Sequence, residues 1–220
     1  MTLRLIQWCL TRCSQGAVWA VVAALCTTPV CAEPAELSEQ GLIKSAGQLG
    51  VIVFEVNWGR QWGCAGLDNA QLQALSFSRL PDGPVLDLKT PSRLFVNDIY
   101  KGYAFLVEPG EYVLTGFDVK VAKSARDVGH LVAKGEDYGS FDASAGEFVY
   151  IGHFSLDCAE EAIPWRYYME SAEDFEKFVE GFKKHYPFVG EVDVKYRLFD
   201  TDVLGFPYSL SDEDVVSGQE

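Results

Sequence analysis

Catalytic and metal chemistry has little to draw on in this chain. Three histidines stand in 220 residues, and none belongs to an HExxH pair. The serine-hydrolase elbow G-x-S-x-G, the Walker loop, the Rossmann glycine pattern and a complete EF-hand loop are all missing. Basic residues are also scarce: 18 Lys and Arg face 32 Asp and Glu, for a net charge of −14. Such a field repels phosphate backbones and anionic lipid heads, so nucleic-acid binding and peripheral membrane binding are excluded as expectations. Asn-X-Ser/Thr sequons are absent, and no second apolar run follows the first.

That first run is AVWAVVAAL at 17–25, far short of the roughly 20 residues of a membrane span. Arg4 and Arg12 are the only charges before it, and Thr-Thr-Pro followed by Val-Cys-Ala comes after it. A positive start, a short apolar core and a small-residue exit predict a secretory signal over 1–32, cut after Ala32. Neither Leu25 before Cys26 nor Val30 before Cys31 suits a lipid-anchor site. The expected product has no integral membrane span and is periplasmic or secreted. Two of the 18 basic residues and none of the acids leave with the signal, so 16 face 32 in the remainder. About 188 residues suffice for one domain.

Four of the six cysteines also fall in the signal, which leaves Cys64 and Cys158. In an exported chain these two allow one disulfide. Two buried thiols, or half of a metal site lacking its other ligands, are the alternatives.

Beyond the signal the chain reads as a polar N-terminal arm over 33–49 that carries about one helical turn. A β-sandwich domain follows over 50–210, with a disordered acidic tail over 211–220. VIVFEV at 51–56 is a strand apolar on both faces, hence central. Further strands are expected at 72–80, 85–88, 94–96 and 189–199, and a short one at 130–133 inside a long connection spanning 123–145. The runs at 102–107 and 112–117 flank Glu108-Pro109-Gly110-Glu111, whose Pro-Gly centre predicts a type II turn and an antiparallel hairpin. In the second run, apolar phase changes after Leu114, which places a bulge at Gly116. The phrase GEYVLTGF at Gly110 returns as GEFVYIGH at Gly146, and both copies read as strand entrances.

One segment is plainly helical. Ser171-Ala172-Glu173-Asp174 is a capping signal, Phe175, Phe178, Val179 and Phe182 make one stripe, and basic residues fill the last turn before Pro187. Short strands with turn clusters and one late helix predict a mainly β fold. The expected architecture is an antiparallel β-sandwich with one amphipathic α-helix, about 171–185, packed on it.

Three candidate sites emerge. His153 shares a predicted strand face with Ser155 and Asp157, but i, i+2 and i+4 positions span about 13 Å, too far for a linear triad. It is the catalytic candidate if acids from elsewhere join it, and otherwise an ordinary strand histidine. Asp137, Asp142, Ser144 and Glu147 supply oxygen ligands suited to calcium, or simply a solvated acidic loop. Trp58, Trp62 and Trp165, with Tyr167 and Tyr168, sit in Gly- or Pro-flanked sequence near the two cysteines. They suit stacking on a sugar, anchoring a protein, or closing the core beneath long loops.

The signal together with VIVFEV, LFVNDIYKGYAFLVEPGEYVLTGF and AGEFVYIGHF resembles small exported bacterial proteins with prealbumin-like or carboxypeptidase-regulatory-like sandwiches. The resemblance spans about 50–158 and implies architecture; no family catalytic residue carries over. The first functional expectation is a non-enzymatic exported binding or envelope-associated module, its partner an envelope protein or a glycan, with no cofactor. Alternatives are an envelope hydrolase acting on glycan or peptide through His153, and a calcium-stabilised module.

Overall fold

The computed structural model of the chain describes residues 33–92, 99–135 and 137–205. The expected signal, the acidic tail and the strand at 94–96 lie outside the described residues. In chain order the elements are β1 (Ala35–Glu36), α1 (Glu39–Ser45), β2 (Gly50–Asn57), β3 (Gln61–Trp62), β4 (Asn69–Arg79), β5 (Val85–Lys89) and β6 (Tyr100–Val107). They continue as β7 (Gly110–Ser124), β8 (Asp127–Lys134), β9 (Ser140–Ala143), β10 (Phe148–Asp157), β11 (Ile163–Tyr167), α2 (Ala172–His185) and β12 (Val194–Tyr196).

The strands form two sheets, as a β-sandwich requires. One runs β1-β6-β2-β10-β11, with β12 also on β10; the other runs β3-β4-β7-β8, with β5 on β4 and β9 on β7. Strand β2 is central because both its faces have somewhere to go. Ile52, Phe54 and Val56 enter the core between the sheets, while Val51 and Val53 join a second cluster with Phe182 of α2. Phe77 of the second sheet meets Phe54 and Phe154 of the first edge-on at centroid distances of 6.1 and 5.6 Å, which ties the sheets by aromatic packing as well as area.

Helix α2 forms as the sequence predicts. The Ser171 side chain accepts a hydrogen bond from the Asp174 N–H, and Lys183, Lys184 and His185 occupy the last turn. Its stripe docks on the outer face of the first sheet, where Phe178 and Phe175 lie 4.8 and 5.6 Å from the Tyr150 ring. The helical turn expected in the N-terminal arm is the capped helix α1, and the arm also supplies strand β1, which pairs with β6.

Several expectations need correction. The hairpin does not form: β6 and β7 lie in different sheets, and Glu108-Pro109 carries the chain between them. Tyr112 fastens that corner by donating to the Glu108 carbonyl at 2.9 Å. Sheet pairing is mixed, since β10 runs parallel to both β2 and β12. The expected strand at 189–199 shrinks to β12, although Val192, Val194, Tyr196 and Leu198 still face the helix cluster. The short strand at 130–133 is part of the longer β8, antiparallel to β7. The bulge in β7 is present, for Ser76 faces Gly116 while the next residue, Phe77, faces Leu114.

A second bulge, in β10, positions the candidate site. Tyr150 faces Val53 and His153 faces Glu55, so β10 spends one more residue than β2 over this stretch. Gly152 sits there with φ of +110°, a conformation that L side chains rarely adopt. The slip moves Phe154 and Leu156 onto the sandwich face with Val149 and Ile151, not onto the face of Phe148 and Tyr150 as uninterrupted alternation predicts. It turns His153 outward onto the Tyr150 face, where the two rings lie 5.4 Å apart.

Candidate functional site

The outer face of the first sheet is only partly roofed by α2. At the roof's edge, strand register aligns Gly102 of β6, Glu55 of β2, His153 of β10 and Tyr167 of β11 in one row. Glu55 Oε2 stands 3.2 Å from His153 Nδ1. The two are in ion-pair range but out of line for a hydrogen bond. Phe178 packs on the other flank of the imidazole at 5.8 Å. Burial among these rings pushes the His153 pKa down to about 4 and pushes the Glu55 carboxyl up. At neutral pH the imidazole is therefore uncharged beside an acid.

Past the helix the sheet opens into a cleft of about 360 Å³. Glu55, Asn57, Gln61, His153, Ser155 and Tyr167 line it, with Tyr100 at its rim. Asn57 is anchored, its Oδ1 accepting the Gly59 N–H at 2.8 Å. Tyr167 is oriented by donating to the Leu156 carbonyl at 3.1 Å, which leaves its ring 41 % exposed; Tyr100 is 67 % exposed. Two accessible aromatic faces among amides, a hydroxyl and a carboxylate can stack on a ring and hydrogen-bond its rim. Among the described residues, no hydroxyl or thiol is hydrogen-bonded to His153, so the Glu55–His153 pair has no poised nucleophile.

The other sequence candidates are placed differently. Trp58 is fully buried and donates from Nε1 to Tyr103 Oη at 2.9 Å, so it offers no stacking face. Trp62 is 68 % exposed with the Arg60 guanidinium over its ring, and half-buried Trp165 faces Ser155 in the β10–β11 ladder. Asp157 accepts the Ala159 N–H at 2.9 Å. Cys64 and Cys158 lie at disulfide distance, with sulfurs 2.09 Å apart.

Of the calcium candidates, Asp137 caps the Gly139 N–H at 2.9 Å and Asp142 faces Glu111 across the β7–β9 ladder. Glu147 is held by Lys195 and by Arg197 at 3.4 Å, and the Lys195 hydrogen bond draws its pKa down. Among the described residues, no group of three His, Cys, Asp or Glu side chains is arranged to hold a metal ion.

Glu55, Asn57 and Tyr100 are the site residues that the sequence reading passed over, whereas Tyr167 stood among its aromatic candidates. Glu55 alone carried a signal, as the one charge inside an apolar central strand. No protein-family model, curated protein or solved structure matches the chain, so its functional reading rests on the chemistry of this site.

Proposed function

We propose that this protein is an exported, non-enzymatic β-sandwich module that binds a glycan in the cleft beside Glu55 and His153. The observation that carries the reading is the pair of exposed tyrosine faces flanking amide, hydroxyl and carboxylate groups, of which the Asn57 amide is anchored. Sugars present one apolar ring face and a polar rim, which is the complement of that surface. Export is supported by the 1–32 pattern and by a cysteine pair at disulfide distance, a bond typical of oxidising compartments.

The test is a titration with soluble N-acetylglucosamine oligosaccharides followed by ligand-observed NMR. Tyr100→Ala and Tyr167→Ala should each weaken binding about tenfold, the scale of one aromatic contact. A double variant that binds as well as the parent rules the cleft out.

One observation favours a second reading, a hydrolase of glycan or peptide. Glu55 Oε2 lies 3.2 Å from His153 Nδ1, and a small rotation of the ring would let that nitrogen donate to the carboxylate and leave a lone pair on Nε2. With no nucleophile bonded to it, water would have to attack. Turnover of envelope glycan or peptide by the parent, lost in His153→Ala, would establish that reading over simple binding.

A further inference from the structure

Glu55 serves two clefts. One carboxylate oxygen, Oε2, is directed to His153; a Cβ placed on Gly102 would lie 4.0 Å from the other, Oε1, on the opposite side. That second side is a separate slot of about 370 Å³ between α2 and the sheet. Phe178, Phe182 and Tyr186 form its helical wall, and Gly102 and Gly181 leave both walls without side chains at its mouth. Gly181 lies inside a 14-residue helix and no atom comes within 4 Å of where its Cβ would be. Glycine inside a helix costs about 1 kcal/mol relative to alanine, and no neighbouring atom requires it here.

Glu55 has no lysine or arginine partner in this slot among the described residues. Its ion-pair partner there is His153 alone, which burial keeps neutral at neutral pH; His185 also lines the slot, but its ring packs 4.6 Å from Tyr186 and forms no ion pair with Glu55. Lys101, next along β6, places its ammonium 4.9 Å from the Tyr103 ring centroid. A half-buried carboxylate beside aromatic rings, without a permanent cation, presents what an ammonium group seeks: an opposite charge and π faces in a poorly hydrated recess. The volume lies within the ordinary range of small-molecule sites.

We propose that the slot under α2 binds a small organic ammonium ion, a primary amine on an apolar body. The body lies along Phe178, Phe182 and Tyr186 where Gly181 leaves room, and the ammonium pairs with Glu55 Oε1 over Gly102. This site is distinct from the glycan cleft and does not depend on it, although the two share Glu55. Occupancy supplies the positive partner that Glu55 lacks.

The experiment is a calorimetric or NMR titration of the protein at neutral pH with phenethylammonium, and with 2-phenylethanol as its neutral counterpart. Saturable binding of the ammonium, at least about tenfold tighter than the alcohol, is expected from one ion pair in a partly desolvated site. Glu55→Gln should erase that preference while leaving weak binding of both probes. Gly181→Leu fills the slot and should abolish both, and circular dichroism reports whether its fold is intact; Tyr167→Ala, in the other cleft, should change neither. Equal affinity for the two probes, no saturable binding of the ammonium, or full binding by folded Gly181→Leu overturns the proposal. Loss in Tyr167→Ala alone would assign the amine to the glycan cleft and overturn it equally.

Discussion

His153 shows how one bulge gives a side chain its chemistry. Without the slip at Gly152 the imidazole would follow Val149 and Ile151 into the sandwich; with it, the ring lies between Tyr150, Phe178 and Glu55. Burial lowers its pKa from 6.5 to about 4, so the folded state resists a proton that the unfolded chain accepts. The stability that neutral His153 allows is therefore complete above pH 6.5 and lost as pH falls toward about 4, by up to roughly 3 kcal/mol. Glu55 has the opposite sign: burial raises its pKa from 4.5, so its contribution is present below 4.5 and lost as pH rises through the raised value. Urea midpoints measured from pH 4 to 7 should fall less on the acid side in His153→Leu than in the parent. Parallel curves would mean the imidazole is better solvated than its packing implies. None of this was legible from His153 in sequence, where strict alternation placed it with Ser155 and Asp157 and gave no hint of Glu55.

Elements were legible where a periodic pattern and a terminal signal coincided. Helix α2 is the clearest case, with Ser171 as its cap and a stripe at helical spacing. Ser171→Ala should cost about 1 kcal/mol, read as a lower melting temperature, because the Asp174 N–H loses its acceptor. The β7 bulge was legible for a related reason, since the apolar phase changes across a glycine. In β10 the phase also changes across Gly152, but Phe148, Val149, Tyr150 and Ile151 are apolar on both faces and conceal the shift. Gly152→Ala should be the costlier change, exceeding 1 kcal/mol. It forces an L residue to φ of +110° with its Cβ 3.0 Å from the Tyr167 carbonyl. The same substitution should weaken glycan binding by moving His153 and Tyr167 together, whereas Ser171→Ala should leave binding unchanged. Comparing the two variants at matched temperature below their transitions separates positioning from stability.

At the scale of the molecule, composition and turn spacing sufficed for the class of fold, but partners across long sequence separations did not declare themselves. Pro109-Gly110 suits a hairpin locally; what sends β6 and β7 to different sheets is each strand's better pairing elsewhere, β6 along all of β2 and β7 along β4. Cysteine is the exception, because the expected signal leaves two cysteines, and their one possible pairing is a long-range contact that the structure brings to disulfide distance. Cys64 and Cys158 are 94 residues apart, and Ala65 N–H donates to the Cys158 carbonyl at 3.0 Å, so the loop after β3 is fastened just past the end of β10 by the cysteine pair and a backbone hydrogen bond together. A closed loop of that length restricts the unfolded chain by about 4 to 5 kcal/mol on the entropic model. The Cys64→Ala/Cys158→Ala pair should therefore lower the unfolding free energy by about 4 kcal/mol, with a steeper urea dependence as its unfolded state expands. A loss below about 1 kcal/mol would show that packing, not the bridge, holds the two sheets in register there. Thiol titration of the protein, denatured without reductant, joins this to the question of compartment. Cleavage after Ala32 with a closed bridge leaves no free thiol, a retained signal adds the thiols of Cys9, Cys13, Cys26 and Cys31, and an open bridge adds two.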